Sequence, residues 1–224
     1  LVGLADALLM AQASGRDAAA QHEIALSIRE SALRMNALVT NLLDMARLEA
    51  GGVQLHRAWQ PLEEVVGAAL AACAPALRER PVSVQLADDL PLLEFDAVLI
   101  ERVLVNLLEN AAKYTPPGTA VRIAAKPSGA YVTITIDDDG PGLPPGREEA
   151  LFEKFERGTR ESATPGVGLG LAICRAIVLA HGGRIRGENC IEQGRVAGAR
   201  FTIELPRGTP PADDGSVEGV KTCS

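Results

Sequence analysis

The sequence predicts an α+β protein, a two-layer α/β sandwich preceded by an antiparallel helical hairpin. Two observations carry this. From Ile24 to Met45, apolar residues fall at positions 24, 28, 35, 38, 42 and 45, a mixed three-and-four spacing free of Pro and Gly. Beyond Gly52 the chain switches repeatedly between that helical period and strict alternation, as in Val82/Val84/Leu86 and Val132/Ile134/Ile136.

Leu1, Leu4, Leu8 and Ala11 share one helical stripe, and Ser14-Gly15-Arg16-Asp17 supplies a turn before the longer helix, which stops at Gly51-Gly52. Residues 1–50 are therefore read as a hairpin of two helices. Such a pair cannot cover its own apolar face, and pairing with a second copy into a four-helix bundle is the natural remedy. A linker is expected over 51–60. Helices are expected over 61–79 and 96–114, strands at 82–86, 121–123, 132–136 and 201–205, and a last helix over about 169–181, all within an ordered region 61–206. Helices on one face of a mixed sheet satisfy that order. The tail RGTPPADDGSVEGVKTCS is polar and rich in breakers, and is read as disordered over 207–224.

Composition narrows the function. The formal net charge is −7 and no run of four Lys/Arg occurs, which argues against a nucleic-acid scaffold. Cys73, Cys174, Cys190 and Cys223 form no C-x-x-C pair, so neither zinc nor a disulfide framework is favoured. No stretch approaches the ~20 apolar residues of a membrane span, and the chain as given is read as soluble.

Three segments carry chemistry. In ERVLVNLLENAAKY, Asn106, Asn110 and Lys113 stand at i, i+4 and i+7 and share one narrow helical stripe beside the apolar one formed by Ile100, Val103, Leu104, Leu107 and Ala111. Asn is a mediocre helix former, and a solvated face would more often carry Glu/Lys pairs. Amide oxygens suit Mg²⁺, and an ammonium neutralises phosphate. In YVTITIDDDGPGLPPG, alternation carries Asp138 to the same side as Val132, Ile134 and Ile136, while Asp137 and Asp139 turn away. A carboxylate on the core side needs donors, and a ligand amino group would serve; Gly140 and Gly142 behind it permit close backbone approach. An ordinary Asp-Gly turn is the plainer alternative.

The third segment is PGVGLGL, whose Gly166, Gly168 and Gly170 lie two apart where the last helix begins. It has neither the G-x-G-x-x-G spacing of a dinucleotide fold nor the G-K-[ST] of a P-loop. Free N–H groups at a helix start attract anions, and positions without side chains let phosphate oxygens reach them. The connection before it, 143–165, contains Phe152, Phe155, Arg157 and Arg160, the composition of a lid with a glycine hinge.

In this order the motifs resemble the ATP-binding core of bacterial sensor histidine kinases of two-component systems, whose Bergerat-type ATP-binding fold is shared with the gyrase, Hsp90 and MutL ATPases (the GHKL group). NLLENAAKY is similar to that family's N box, DDGPG to its first glycine box, FEKF to its F box and GVGLGL to its second glycine box. Four ordered motifs make the likeness specific, and it covers residues 1–206. The stretches LLDMARLEAGG and RGTRESATPGVGLGLAICRAIV are most similar to members that govern potassium-pump expression.

The resemblance implies ATP and Mg²⁺ as ligands, transfer of the γ-phosphate to a histidine, and relay to an aspartate of a cognate response regulator. It implies that Asp138 accepts from the adenine amino group, with Gly140 and Gly142 shaping the purine slot. Asn110 holds Mg²⁺ with Asn106 assisting, and Lys113 and Tyr114 contact the phosphates. Arg157 is the lid cation on the γ-phosphate, Phe155 belongs to the same lid, and Gly166, Gly168, Leu169, Gly170 and Leu171 wrap the phosphate chain. Asn106, Lys113 and Arg157 are the residues assigned to catalysis. A homodimer through the hairpin and an inner-membrane anchor outside this chain complete the implied picture.

Two departures stand out. Ala199 in GARF replaces the family's usual Thr. The family's acceptor histidine sits in an H-[ED]-x-x-x-P-like box on the first hairpin helix, and residues 1–13 hold no His. This stretch alone is then expected to bind ATP without completing autophosphorylation. His22, His56 and His181 match no acceptor motif, and surface or capping roles are expected for them. Related ATPases that release phosphate to water place a Glu base where this chain has Asn106, which cannot abstract a proton. A non-catalytic nucleotide-sensing dimerisation module is the remaining alternative.

Overall fold

The computed structural model describes residues 54–153 and 168–210, together with 19, 21–29, 31, 32, 35 and 39. The chain divides into two compact units, Leu1–Gln54 with Pro144–Ile177, and Leu55–Leu143 with Val178–Ser224. Most of the expected hairpin, the residues around Phe155, Arg157 and Gly166, and the tail beyond 210 lie outside the described residues.

The second unit holds the sheet. Its elements run β1 (Ala58–Gln60), α1 (Leu62–Leu77), β2 (Val82–Leu86), β3 (Leu93–Phe95), α2 (Ala97–Tyr114), β4 (Val121–Ser128), β5 (Tyr131–Asp138), β6 (Arg184–Glu192) and β7 (Arg195–Pro206). Five strands form one sheet in the order β2-β4-β5-β7-β6, and β1 and β3 form a small antiparallel ribbon. Only the β2–β4 pair is parallel; the hairpins β4–β5 and β6–β7 and the pair β5–β7 are antiparallel. The sheet is mixed, as expected.

Register shows how the core forms. Ile123 faces Ile136, which faces Phe201; Ala125 faces Ile134, which faces Ile203. Directly opposed residues share a face, so these rows stack into one apolar side, and all are buried. The apolar stripe of α2, namely Ile100, Val103, Leu104, Leu107, Leu108 and Ala111, is buried in turn, with Leu62, Val65, Val66, Ala69, Cys73 and Leu77 of α1. Each large side chain removed from water contributes about 1.5–3 kcal/mol, which makes this helix-on-sheet layer the main source of stability.

Both ends of α2 are held. At its start Asp96 is the N-cap: Oδ1 accepts from the Leu99 N–H at 3.2 Å, and Oδ2 from the His56 N–H at 3.0 Å. The Asp96 N–H itself donates to Nε2 of His181 at 3.0 Å. His181 is therefore a buried acceptor rather than a surface group, and it supports the start of α2. His22 and His56 are exposed. At the other end, Arg80 donates to the carbonyls of Ala112, Thr115 and Pro116 and to Thr115 Oγ1, at 2.5 to 3.0 Å. The Ala112 and Thr115 carbonyls belong to the helix end and its cap, where intrahelical donors run out.

Elsewhere the alternation reading is incomplete. β6 is absent from it because Arg184-Ile185-Arg186-Gly187-Glu188-Asn189 puts only one apolar side chain among six residues, the pattern of an edge strand. β1 falls within the stretch read as linker. Arg207 N–H donates to the Ala130 carbonyl at 2.9 Å, which carries the β5–β7 pairing one residue past the expected limit of order. Cys73 and Cys174 are buried thiols in no disulfide among the described residues, and burial, with Glu109 nearby, pushes the Cys73 thiol up to about 11, an inert thiol.

In the first unit, residues 21–29 are helical, and Leu26, Met35 and Val39 are about half exposed. Ala150–Phe152 is a single 3₁₀ turn with Phe152 buried. Arg175 pairs with Glu149 and Glu153 across 3.3 and 3.7 Å.

Arg80→Met keeps the stem but removes the donors that close α2. The expected loss is about 1–3 kcal/mol, read as a lower urea midpoint at unchanged slope. Arg80→Lys is expected to recover little of it, since an ammonium cannot span the same acceptors. An unshifted midpoint for Arg80→Met would show that the C-terminal turn closes without it.

Candidate functional site

Asp138 is the last residue of β5 and is 6% exposed. Its register partners are Val121 on β4 and Ala199 on β7, so its carboxylate lies on the apolar, helix-facing side of the sheet. Two backbone donors support it. Oδ1 accepts from the Gly140 N–H at 2.8 Å, and the Ala199 amide also bonds to the carboxylate. Burial dominates nonetheless and holds the Asp138 carboxyl above the usual carboxylate range, with Asp139 and Asp137 pushing the same way.

The neighbouring acids are disposed otherwise. Asp139 faces outward and meets Arg122 in a two-bond pair at 2.6 and 3.0 Å. Asp137 also points away from the helices, but it is 6% exposed, because Arg200 lies across it with bonds of 2.6 and 2.8 Å. Turning away from the core does not mean reaching water here.

Gly140 and Gly142 make the ground next to Asp138 close-fitting. A Cβ on Gly140 would meet the Thr115 methyl and Asp138 Oδ1, and one on Gly142 would meet Val196 and Asn189. Gly142 also has φ +77°, a left-handed conformation that a side chain disfavours. The Thr115 contact ties the turn after β5 to the last turn of α2.

α2 contributes the amides. Asn106 and Asn110 are half-buried on the stripe beside the apolar one, and neither side chain bonds to another described residue. Two amide oxygens on one helix face are fitting donors for a hard cation that takes its other ligands from phosphate and water. Among the described residues no group of three or more His, Cys, Asp or Glu could hold a metal. Lys113 Nζ donates to the Tyr114 hydroxyl at 3.0 Å and lies 4.8 Å from the same ring, so both side chains stand together at the end of the helix.

In the first unit, Gly168 has φ +70° and Leu169 is buried. The Ile173 N–H makes the first bond of α3 (Gly170–Ala180) to the Leu169 carbonyl at 3.0 Å. The N–H groups of Gly170 and Leu171 thus head the helix ahead of its first intrahelical bond.

The family model of histidine kinase-, DNA gyrase B-, and HSP90-like ATPases matches residues 95–209. The chain belongs to this family. Sensor protein KdpD of Escherichia coli K12 is 49% identical over 187 residues, which are 84% of this chain and 20% of that protein. The histidine-protein kinase/phosphatase MprB of Mycolicibacterium paratuberculosis is 35% identical over 83% of this chain and 35% of its own length. The chain thus spans about a fifth to a third of these relatives. Among solved structures, a mycobacterial sensor histidine kinase MprB superposes with TM-score 0.58 at 31% identity, over 66% of this chain and 97% of that one. Full-length ShkA in complex with AMPPNP gives TM-score 0.72 at 28% identity, over 84% of this chain and 39% of that one. No helix among the described residues is long and apolar enough to cross a membrane.

Three residues that shape the surroundings of Asp138 escaped the sequence reading. Thr115 packs on Gly140, and its hydroxyl donates to the Ala111 carbonyl at 2.6 Å. Arg200 shields Asp137. Asn189 holds Leu143 at both its N–H and carbonyl, at 2.6 and 3.0 Å. The hydroxyl directly after Tyr114 was a readable signal for the first; the others depend on register across β5, β7 and β6.

Because the folded-state pKa of Asp138 lies above the unfolded one, the folded chain binds the extra proton between the two values, and stability falls as pH rises through that window. Asp138→Asn keeps an oxygen for the Gly140 N–H and removes the buried charge. It is expected to flatten that limb of the stability-against-pH curve and to be at least as stable as the parent at neutral pH. Urea titrations on the acid side of neutrality check this, and an equally steep limb would assign the effect to other carboxylates.

Proposed function

We propose that this chain is the ATP-binding catalytic region of a two-component sensor histidine kinase, with Asp138 as the adenine acceptor. The observation that carries the reading is a buried carboxylate on the helix side of the sheet, backed by two glycines whose Cβ positions are already filled and joined through Thr115 to the helix bearing Asn106, Asn110 and Lys113. An adenine amino group supplies the donor such a carboxylate calls for.

In this reading ATP enters base first. The ionised Asp138 takes the exocyclic N–H, and Gly140 and Gly142, by letting their loop pack closely on Thr115, Val196 and Asn189, shape the purine slot. Asn110, assisted by Asn106, offers amide oxygens to Mg²⁺, which when bound neutralises phosphate charge. Lys113 and Tyr114 face the phosphates, Gly166, Gly168 and Gly170 with Leu169 and Leu171 wrap them, and Arg157 and Phe155 belong to the lid. The bond from the γ-phosphorus to the β,γ-bridging oxygen breaks, a bond to an acceptor histidine nitrogen forms, and ADP leaves. That phosphoryl group then passes to an aspartate on a KdpE-like response regulator. The likeness to KdpD supports potassium or osmotic-stress signalling and an inner-membrane anchor in the whole protein. The half-exposed Met35 and Val39 support residues 1–50, the helical hairpin, as the homodimer face.

Hydrolysis by water is disfavoured. Asn106 cannot abstract a proton, and Glu109 is exposed on another side of α2.

Asp138→Asn is expected to lower ATP affinity at least a hundredfold while the chain still melts cooperatively; retained affinity, measured by calorimetry, would refute the purine assignment. Asn110→Asp is expected to change the Mg²⁺ dependence of binding or turnover, and if neither moved the metal role would pass to Asn106. With saturating Mg-ATP, binding without phosphate release, and transfer of label to a supplied acceptor hairpin, supports the kinase. Steady, Asp138-dependent release of phosphate would favour the ATPase.

A further inference from the structure

We propose that Asn189 is a positioning residue for the nucleoside end of this site, an inference that rests on the adenine reading of Asp138. Asn189 lies on β6 opposite Ala199, which lies opposite Asp138 on the next strand. All three therefore share one cross-sheet row on the helix-facing side. The small Ala199 methyl separates the amide from the carboxylate.

From that place the Asn189 amide reaches the loop that follows Asp138. Its Oδ1 accepts the Leu143 N–H at 2.6 Å and its Nδ2 donates to the Leu143 carbonyl at 3.0 Å. This is the pair of bonds a further β-strand would give, supplied by one side chain. Leu143 in turn lies by Gly187, where a Cβ would come within 3.1 Å of its Cδ1. The segment Gly140-Pro141-Gly142-Leu143 is thus pinned at both ends, by Asp138 Oδ1 on Gly140 and by Asn189 on Leu143. The left-handed Gly142 between these pins sits close against Asn189 and Val196.

The contacts of Asn189 are with the loop, at Leu143 and beside Gly142, so its effect passes through Gly140 and Gly142. β7 gains a residue against β6 immediately after this point, where the register shifts between Cys190 and Ile191. Such a bulge re-aims neighbouring side chains. Neither another amide nor a carboxylate elsewhere among the described residues holds Leu143.

The test compares ATP and adenosine binding to the full chain and to Asn189→Ala by calorimetry, with melting temperature and hydrogen exchange recorded on both. Asn189→Ala is expected to melt cooperatively, to speed exchange of the Leu143 amide, and to weaken adenosine and ATP by the same factor, about tenfold. The Mg²⁺ dependence of ATP binding stays that of the parent, because Asn106 and Asn110 are untouched. Asn189→Asp, which keeps the acceptor for the Leu143 N–H but sets a carboxylate oxygen against its carbonyl, is expected to weaken binding at least as much as Asn189→Ala. Faster Leu143 exchange with unchanged adenosine affinity overturns the inference alone. Failure of the parent chain to bind adenosine or ATP overturns the adenine reading and this inference with it. A loss confined to ATP, with adenosine unaffected, overturns the nucleoside-end assignment.

Discussion

Everything in the second unit follows from how α2 is seated on the sheet. A helix with one apolar stripe has a single rotation that buries it, and once Ile100, Val103, Leu104, Leu107, Leu108 and Ala111 are inside, the directions of all other side chains are set. Asn106, Asn110 and Lys113 inherit their common side from that constraint. The caps then fix the helix along its axis, with Asp96 and His181 at the start and Arg80 at the end. Hydrophobic burial sets the rotation, and hydrogen bonds set the position along the sheet.

The run Asp137-Asp138-Asp139 shows how a sheet separates like charges that sequence places side by side. Alternation sends the middle carboxylate to one face and its neighbours to the other. Each then takes a different kind of partner: Asp137 and Asp139 take guanidinium groups, and Asp138 takes only neutral backbone amides. A buried carboxylate without a counter-charge keeps its appetite for donors, and of the three Asp138 is the one left in that state.

Much of this was legible in the sequence. The 3.6 period of 97–114 and the alternation of 131–138 were strong enough to yield the helix, the strand and the inward direction of Asp138. Edge elements were not. β6 carries too few apolar residues to show a period, β1 and β3 are three residues each, and their pairing is decided by tertiary register. For the same reason Asn189 was unreadable: its role arises from standing two strands away from Asp138 in a row that no local pattern encodes. Arg80 and Thr115 belong to the same class, side chains over thirty residues apart whose bond forms only after α1 and α2 have packed.

The ribbon of β1 and β3 has a mechanical consequence. Chain arriving from residue 54 is not loosely tethered: Ala58 pairs with Phe95, His56 is bonded to Asp96, and the Trp59 ring lies against Gly208 beyond β7. Tension applied to the polypeptide upstream of Leu55 is therefore delivered first to the residue that caps α2, the lever on which the amide stripe rides. Entry and exit strands are stapled to one another at that point, so the load is shared with the end of β7 instead of peeling a single strand away.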